Sequence, residues 1–353
     1  MGVNVGILGF AHGHVSQYCA QWTERLELGA SVSCGWDHDR ERLAVAVQCF
    51  GLEAAESAEA LLSRPDIAAV VIGAETSMHA ELVEQAAAAG KAIILQKPMA
   101  LTLPEADRIV AAVQASGVPF TMAWQMRADP QNQTMRKMVL EGALGRVFMV
   151  RRRHGLPMCL DDNFASSWHV DPKLNRDMWA DDASHPIDFV YWLFGRPESV
   201  TAEIVSLNHP AMPMDNGIAI FRYPDGPLVE VTCSFTNRAG ENTTEIICEH
   251  GTIIQNYGDG PSCSVPRPAG AAGLKWYDAR TGQWTCCEVP TPDHHGVRIQ
   301  GLAAPLAAFL NGAGAAIATA EEGREALRML LACYVSEREG RRTPLDDPAI
   351  ATV

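Results

Sequence analysis

The first 125 residues alternate between short apolar runs and longer stretches of helical periodicity, and this switching of period most limits what the chain can fold into. Residues 3–8 (VNVGIL) form an apolar run that ends at Gly9, with a helical stretch at about 14–28. Further strands are expected at about 31–36, 68–72, 91–95 and 119–124, separated by Ala- and Glu-rich segments such as Ala80 to Ala89. Strands that alternate with helices predict a parallel, doubly wound sheet. Beyond it the texture changes. A helix at 131–142 precedes strand-like runs at 146–153, 198–206, 216–223, 227–236, 243–249 and 252–256, joined by turns such as Pro224-Asp225-Gly226. Consecutive strands predict an α+β domain on a large, mostly antiparallel sheet. Helices return at about 298–311 and 321–338, and the Pro/Gly-rich stretch 258–273 reads as a surface loop. The division expected is 1–125 and 126–353.

At 353 residues two domains are the natural expectation. The net charge of −14 repels a phosphate backbone, and no basic cluster exceeds Arg151-Arg152-Arg153, so nucleic acid is excluded as a partner. The N-terminus lacks the charged and apolar regions of a signal peptide, and no apolar run is long enough to span a bilayer. The expectation is a soluble cytoplasmic protein without membrane contact. Ten scattered cysteines, without metal-site spacing, read as reduced core thiols.

After the first strand comes Gly9-Phe10-Ala11-His12-Gly13-His14, where a dinucleotide fingerprint reads G-x-G-x-x-G. Ala11 and His14 stand at the second and third glycine positions. The context is that of a phosphate turn: a strand precedes it, a helix follows, and Asp37 ends the second strand where an acid would hold the ribose hydroxyls. A carboxylate there favours NAD over NADP, with Arg40 nearby as the counter-indication. His12 and His14 have no further ligands at useful spacing, so no metal is expected and the pair is assigned to the cofactor turn.

Further along, Gln96-Lys97-Pro98 follows the strand KAIIL, His79 follows VVIGAETSM, and Asp181, His185 and Asp188 form a D-x-x-x-H-x-x-D run before a helix. In this order the motifs resemble the Gfo/Idh/MocA family over nearly the whole chain. The resemblance implies an N-terminal Rossmann domain and a C-terminal domain whose open sheet makes a homodimer or homotetramer. It also implies NAD(P)-dependent hydride transfer at a sugar, inositol or polyol carbon. Gln96 stands for the family glutamate, and Asn175-Arg176-Asp177-Met178-Trp179 replaces a glycine-rich segment. Cofactor contacts are expected from Gly9, Phe10, Ala11, His12, Gly13, His14, Asp37, His79, Gln96 and Lys97.

Oxidising a secondary alcohol requires a proton acceptor and a positive group beside the oxygen. Lys97 and His185 can fill these roles, with Asp181 supporting them. In a helix Asp181 and His185 are i, i+4 neighbours and Asp188 shares their face. Pro186 is comfortable only in the first turn, so Asp182 is expected as the N-cap. Residues 151–180 combine His154, Asn163, Trp168, His169 and Trp179 with little periodicity, as long functional loops do. Substrate contacts are expected from Lys97, Arg127, His154, Trp168, His169, Asp181 and His185. Arg151 and Arg153 share one strand face and read as a solvated or interface face. Two other functions fit the same fold: an NAD-dependent glycosidase, and a regulator that binds dinucleotide without turnover.

Overall fold

The computed structural model describes residues 2–238, 242–255, 272–290, 292 and 295–353. The loop expected at 258–273 lies almost wholly outside them, as does Cys263. Two compact units result. One comprises Met1–Ala128, Lys173–Asn175 and Ile299–Leu327, the other Asp129–Pro172, Arg176–Arg298 and Arg328–Val353.

The first unit opens with the strand–helix alternation: β1 (Val3–Leu8), α1 (His14–Glu24), β2 (Ala30–Trp36), α2 (Arg40–Phe50), β3 (Glu53–Ala54), α3 (Ala58–Leu62), β4 (Ala69–Ile72), α4 (His79–Ala88), β5 (Ala92–Leu95), α5 (Leu103–Ser116), β6 (Phe120–Met122) and the short α6 (Gln125–Ala128). The six strands are parallel in the order β3-β2-β1-β4-β5-β6, the doubly wound order whose switch point lies between β1 and β4. Strands covered by helices on both faces bury every residue, as β4 (AVVI) does. Helix α1 stops at Glu24, short of the expected 28, because the chain tightens into a 3-10 turn over Leu26–Leu28 and reverses at Gly29 with φ 79°.

The second unit contains α7 (Pro130–Leu140), β7 (Val147–Gly155), α8 (Ser184–Phe194), β8 (Ser199–Val205), β9 (Asn216–Arg222), β10 (Leu228–Ser234), β11 (Thr243–Cys248), β12 (Gly251–Gln255), β13 (Leu274–Asp278) and β14 (Gln283–Cys286). The chain then returns to the first unit for α10 (Ala303–Leu310), which lies between α9 (His295–Gln300) and α11 (Ala320–Glu339), and ends in the second with β15 (Thr343–Pro344). The nine strands are ordered β14-β13-β12-β11-β7-β10-β9-β8-β15, antiparallel except for β7 with β10. Residues alternate along β8 to β11, so Val200, Ala219, Val231, Val150 and Ile246 bury one face while Ile218, Ile220 and Leu228 stand exposed on the other. On the exposed face Arg151 lies between Glu230 and Glu245.

Three local expectations change. The helix expected at 298–311 is two helices, and the restart at Ala303 puts Pro305 in a first turn, where its missing N–H costs nothing. Helix α10 packs with α1 in the first unit, where the fully buried Trp22 donates its indole N–H to the Ala303 carbonyl at 2.9 Å. Strands β3, β13, β14 and β15 are not legible in the sequence, being short and without clean alternation. The thiols are not all core: Cys19, Cys34, Cys159, Cys233, Cys248 and Cys333 are buried, but Cys49 and Cys286 are exposed.

Candidate active site

In the first unit the loops after β1, β2, β4 and β5 gather at the carboxyl ends of the strands. Gly9 has φ +89°, and a Cβ there would lie 2.4 Å from Ala74 Cα, so the exits of β1 and β4 pass each other only with glycine. Phe10 donates its backbone N–H to Asp37 Oδ2 at 2.7 Å, tying the phosphate turn to the end of β2. Ala11 is half-buried and Gly13 exposed. His12 is buried; its Nδ1 accepts from the His14 backbone N–H at 3.4 Å, and the two rings lie 4.3 Å apart. Among the described residues no group of three or more His, Cys, Asp or Glu side chains could hold a metal ion.

His79 is fully buried, with Nε2 3.1 Å from the Ala74 carbonyl and Nδ1 2.9 Å from that of Pro98. Burial lowers its pKa, and its position staples the loop after β4 to the loop after β5. Gln96 donates its amide to the Tyr18 hydroxyl at 2.6 Å, and burial pushes the Tyr18 pKa up, which keeps the phenol neutral. An amide can make this donation and an ionised carboxylate in its place could not. Lys97, the next residue, is 2 % exposed. Arg127 pairs with Glu322 at 3.0 Å and donates to the Ile317 carbonyl.

These residues fit a dinucleotide. The first turn of α1 carries no acid and no side-chain cap, which leaves a helix N-terminus suited to a pyrophosphate. Gln96 Oε1 is a buried acceptor without a hydrogen-bond partner, as a site for a ligand N–H or O–H would be.

In the second unit a π-helical turn at Trp179–Ala183 runs straight into α8. Asp182 is therefore not an N-cap: the helical backbone starts before it, and the cap position of α8 is Ala183, without a side-chain bond. Pro186 is tolerated as the third residue of α8, within its first turn, and the Ser184 hydroxyl donates to the Asp181 carbonyl. Asp182 faces two histidines instead, with Oδ1 3.7 Å from His185 Nε2 and Oδ2 4.0 Å from His154 Nε2. The histidine rings lie 5.8 Å apart, and His154 Nδ1 bonds the Asn242 side chain. Asp181 and Asp188 are buried in the same segment. Trp168 and His169 stack with centroids 4.0 Å apart, and His169 Nδ1 lies 2.6 Å from the Ser167 hydroxyl.

Sequence reasoning assigned Asp182 a capping role and did not single out Asn242, Arg42 or Glu75. The i, i+3 spacing of Asp182 and His185 was a readable signal. The others are contributed by distant segments.

Asp177 precedes the π turn. Its Oδ1 accepts from the Tyr334 hydroxyl at 2.6 Å and from the Ala180 N–H at 2.9 Å, and burial raises its pKa from 3.8 to about 6. A carboxyl raised in the folded state adds stability below its unfolded pKa and loses it as the pH climbs through the folded one. Asp177→Asn keeps the acceptor and removes the titration. Melting curves between pH 4 and 8 should show the variant more stable than the parent above pH 6, by up to about 3 kcal/mol, with the difference vanishing toward pH 4.

The chain matches the family model of an oxidoreductase family with an NAD-binding Rossmann fold over residues 3–124, and that of the GFO/IDH/MocA C-terminal domain over 132–254. It is 27 % identical over 339 residues to a D-apiose dehydrogenase of Paraburkholderia graminis, covering 90 % of this chain and 84 % of that protein. Over 245 residues it is 28 % identical to a levoglucosan dehydrogenase of Pseudarthrobacter phenanthrenivorans, covering 62 % of this chain and 63 % of that one. A solved levoglucosan dehydrogenase in complex with NADH and levoglucosan shares the fold, with a TM-score of 0.83 at 21 % identity over 98 % of this chain and 100 % of that chain. With family models matched in both parts of the chain, it belongs to the Gfo/Idh/MocA family and is an NAD(P)-dependent oxidoreductase of CH–OH groups.

Proposed function

We propose that the protein transfers a hydride between NAD and a hydroxyl-bearing carbon of a sugar, inositol or related polyol, with His185 as general acid/base. The observation that carries this reading is the buried His185–Asp182–His154 cluster in a chain of this family. When bound, NAD supplies the hydride acceptor. His185 takes the hydroxyl proton, Lys97 places positive charge beside the oxygen as alkoxide character develops, and Asp181 supports the pair. The carboxylate of Asp182, 3.7 Å from the imidazole, stabilises the imidazolium that results. The flat stacked pair of Trp168 and His169 suits the face of a sugar ring. Relatives named for D-apiose and levoglucosan support the substrate class.

A screen of pyranoses, pentoses, inositols and sugar acids with NAD and NADP, followed by nicotinamide absorbance, tests the proposal. Turnover of chromogenic glycosides without net oxidation would replace it with the glycosidase reading, and silence on every compound with NAD still bound would favour a regulator.

The exposed face of the large sheet, with Ile218, Ile220 and Leu228 around the Arg151 ion pairs, is the surface we propose for subunit contact. Light scattering at micromolar concentration should give a homodimer or homotetramer, and Ile220→Glu should reduce its mass. A monomeric parent protein would refute this. A cytoplasmic location is part of the same reading: the described cysteines are all free, and among the described residues no helix is long and apolar enough to cross a membrane.

A further inference from the structure

The carboxyl end of β2 carries a charge network that changes which residues meet the adenosine ribose. Asp37 has no accessible surface. Its Oδ2 accepts from the Phe10 N–H and from Arg42 Nε, both at 2.7 Å, and its Oδ1 from the Asp39 N–H at 2.8 Å and Arg42 Nη2 at 2.7 Å. A carboxylate offers about four acceptor positions, so Asp37 is spent on the protein itself. Its work is to anchor the phosphate turn and Arg42.

Arg42 Nη2 also reaches Glu75 Oε1 at 2.9 Å, while Glu75 Oε2 lies 2.9 Å from His38 Nε2. Glu75 is 3 % exposed, whereas the side chains of Arg42 and His38 are 23 % and 47 % exposed. The groups that face outward are thus a guanidinium and an imidazole, backed by two buried carboxylates. Counting Asp37, Glu75 and Arg42, the network carries one net negative charge.

In a sheet of this order the nucleotide lies outside the carboxyl ends of the strands, with its adenosine ribose beyond β2. Arg42 comes from α2 beside that edge and Glu75 from the loop after β4. We infer that Glu75 sets coenzyme choice: with Asp37 already balancing Arg42, Glu75 adds a second negative charge behind the guanidinium that would receive a 2′-phosphate, so Arg42 and His38 present a surface to a ribose diol. The inference rests on the NAD-dependent reading and deepens it. Asp37 alone would leave Arg42 balanced and the network neutral, whereas Glu75 tips the edge to negative and repels a phosphate.

Binding of NADH and NADPH to the purified full-length protein, followed by nicotinamide fluorescence, tests this without substrate. Glu75→Gln keeps an acceptor for Arg42 and removes the charge. The ratio of NADPH to NADH affinity should rise about tenfold or more, the scale of one unit charge acting on a phosphate at close range. Glu75→Ala, which leaves no buried amide to satisfy, should shift the ratio in the same direction. Unchanged ratios in both variants overturn the inference and leave the NAD reading standing, as does loss of NADH binding in both. A parent protein that prefers NADPH also overturns it, and one that binds neither nucleotide overturns the dinucleotide reading with it.

Discussion

Replacing His185 with alanine is expected to lower turnover by about 10²–10⁴-fold, the usual cost of losing a positioned acid/base, while NADH binding is retained. The reason lies in how α8 presents the ring. His185 is the second residue of that helix, buried, and held beside a carboxylate at 3.7 Å by the π turn that precedes it. The residues proposed to hold the nucleotide, the phosphate turn among them, belong to the first unit, so NADH binding should survive the substitution. Asp182→Asn should lose less, since it alters the charge beside the imidazole without deleting the proton acceptor, and Asp181→Asn, one residue before it, should likewise lose less. If His185→Ala turns over an identified substrate at a near-normal rate, the assignment fails, and His154, on the other side of Asp182, becomes the acid/base to test.

Lys97→Met should cost about 10²–10³ in kcat, the loss that follows removal of one group stabilising a developing oxyanion. Lys97 follows directly on β5 and is almost fully buried. Methionine is similar in length and uncharged, so the unit should fold with a comparable melting temperature. Steady-state kinetics together with NADH titration separate the two contributions. A loss confined to KM with kcat intact would make Lys97 a binding group only. A fall in NADH affinity large enough to account for the whole effect would assign it to the cofactor instead.

Both predictions use residues that stood out in the sequence, because each sits at a fixed chemical landmark. Lys97 is bracketed by an apolar strand and a proline, and His185 by two carboxylates at helical spacing. The partners of such residues were less legible. Asp182 had a local reason to be a cap, namely Pro186 four residues on, and only the π turn shows that the helical backbone begins earlier. Arg127 reads in the sequence as a substrate contact. It pairs with Glu322, nearly two hundred residues away, and no spacing rule connects the two.

Periodicity alone determined the doubly wound first sheet and the broad second one, because each strand's burial pattern is written in its own residues: continuous in AVVI, alternating in β8 to β10. It also marked the phosphate turn, since a glycine at a strand exit constrains only its neighbours. Tertiary structure alone decided what the polar residues do. Asp37 reads locally as an acid free to hold a ribose, but its four acceptor positions are taken by Phe10, Asp39 and Arg42 once the turn and α2 close over it. Glu75 reads as one more loop acid until β4 is laid two strands from β2 and brings it to Arg42 and His38. Apolar burial is a property of a segment's own pattern, whereas the charge on a site is a sum over groups that only the folded chain brings within a few ångströms of one another.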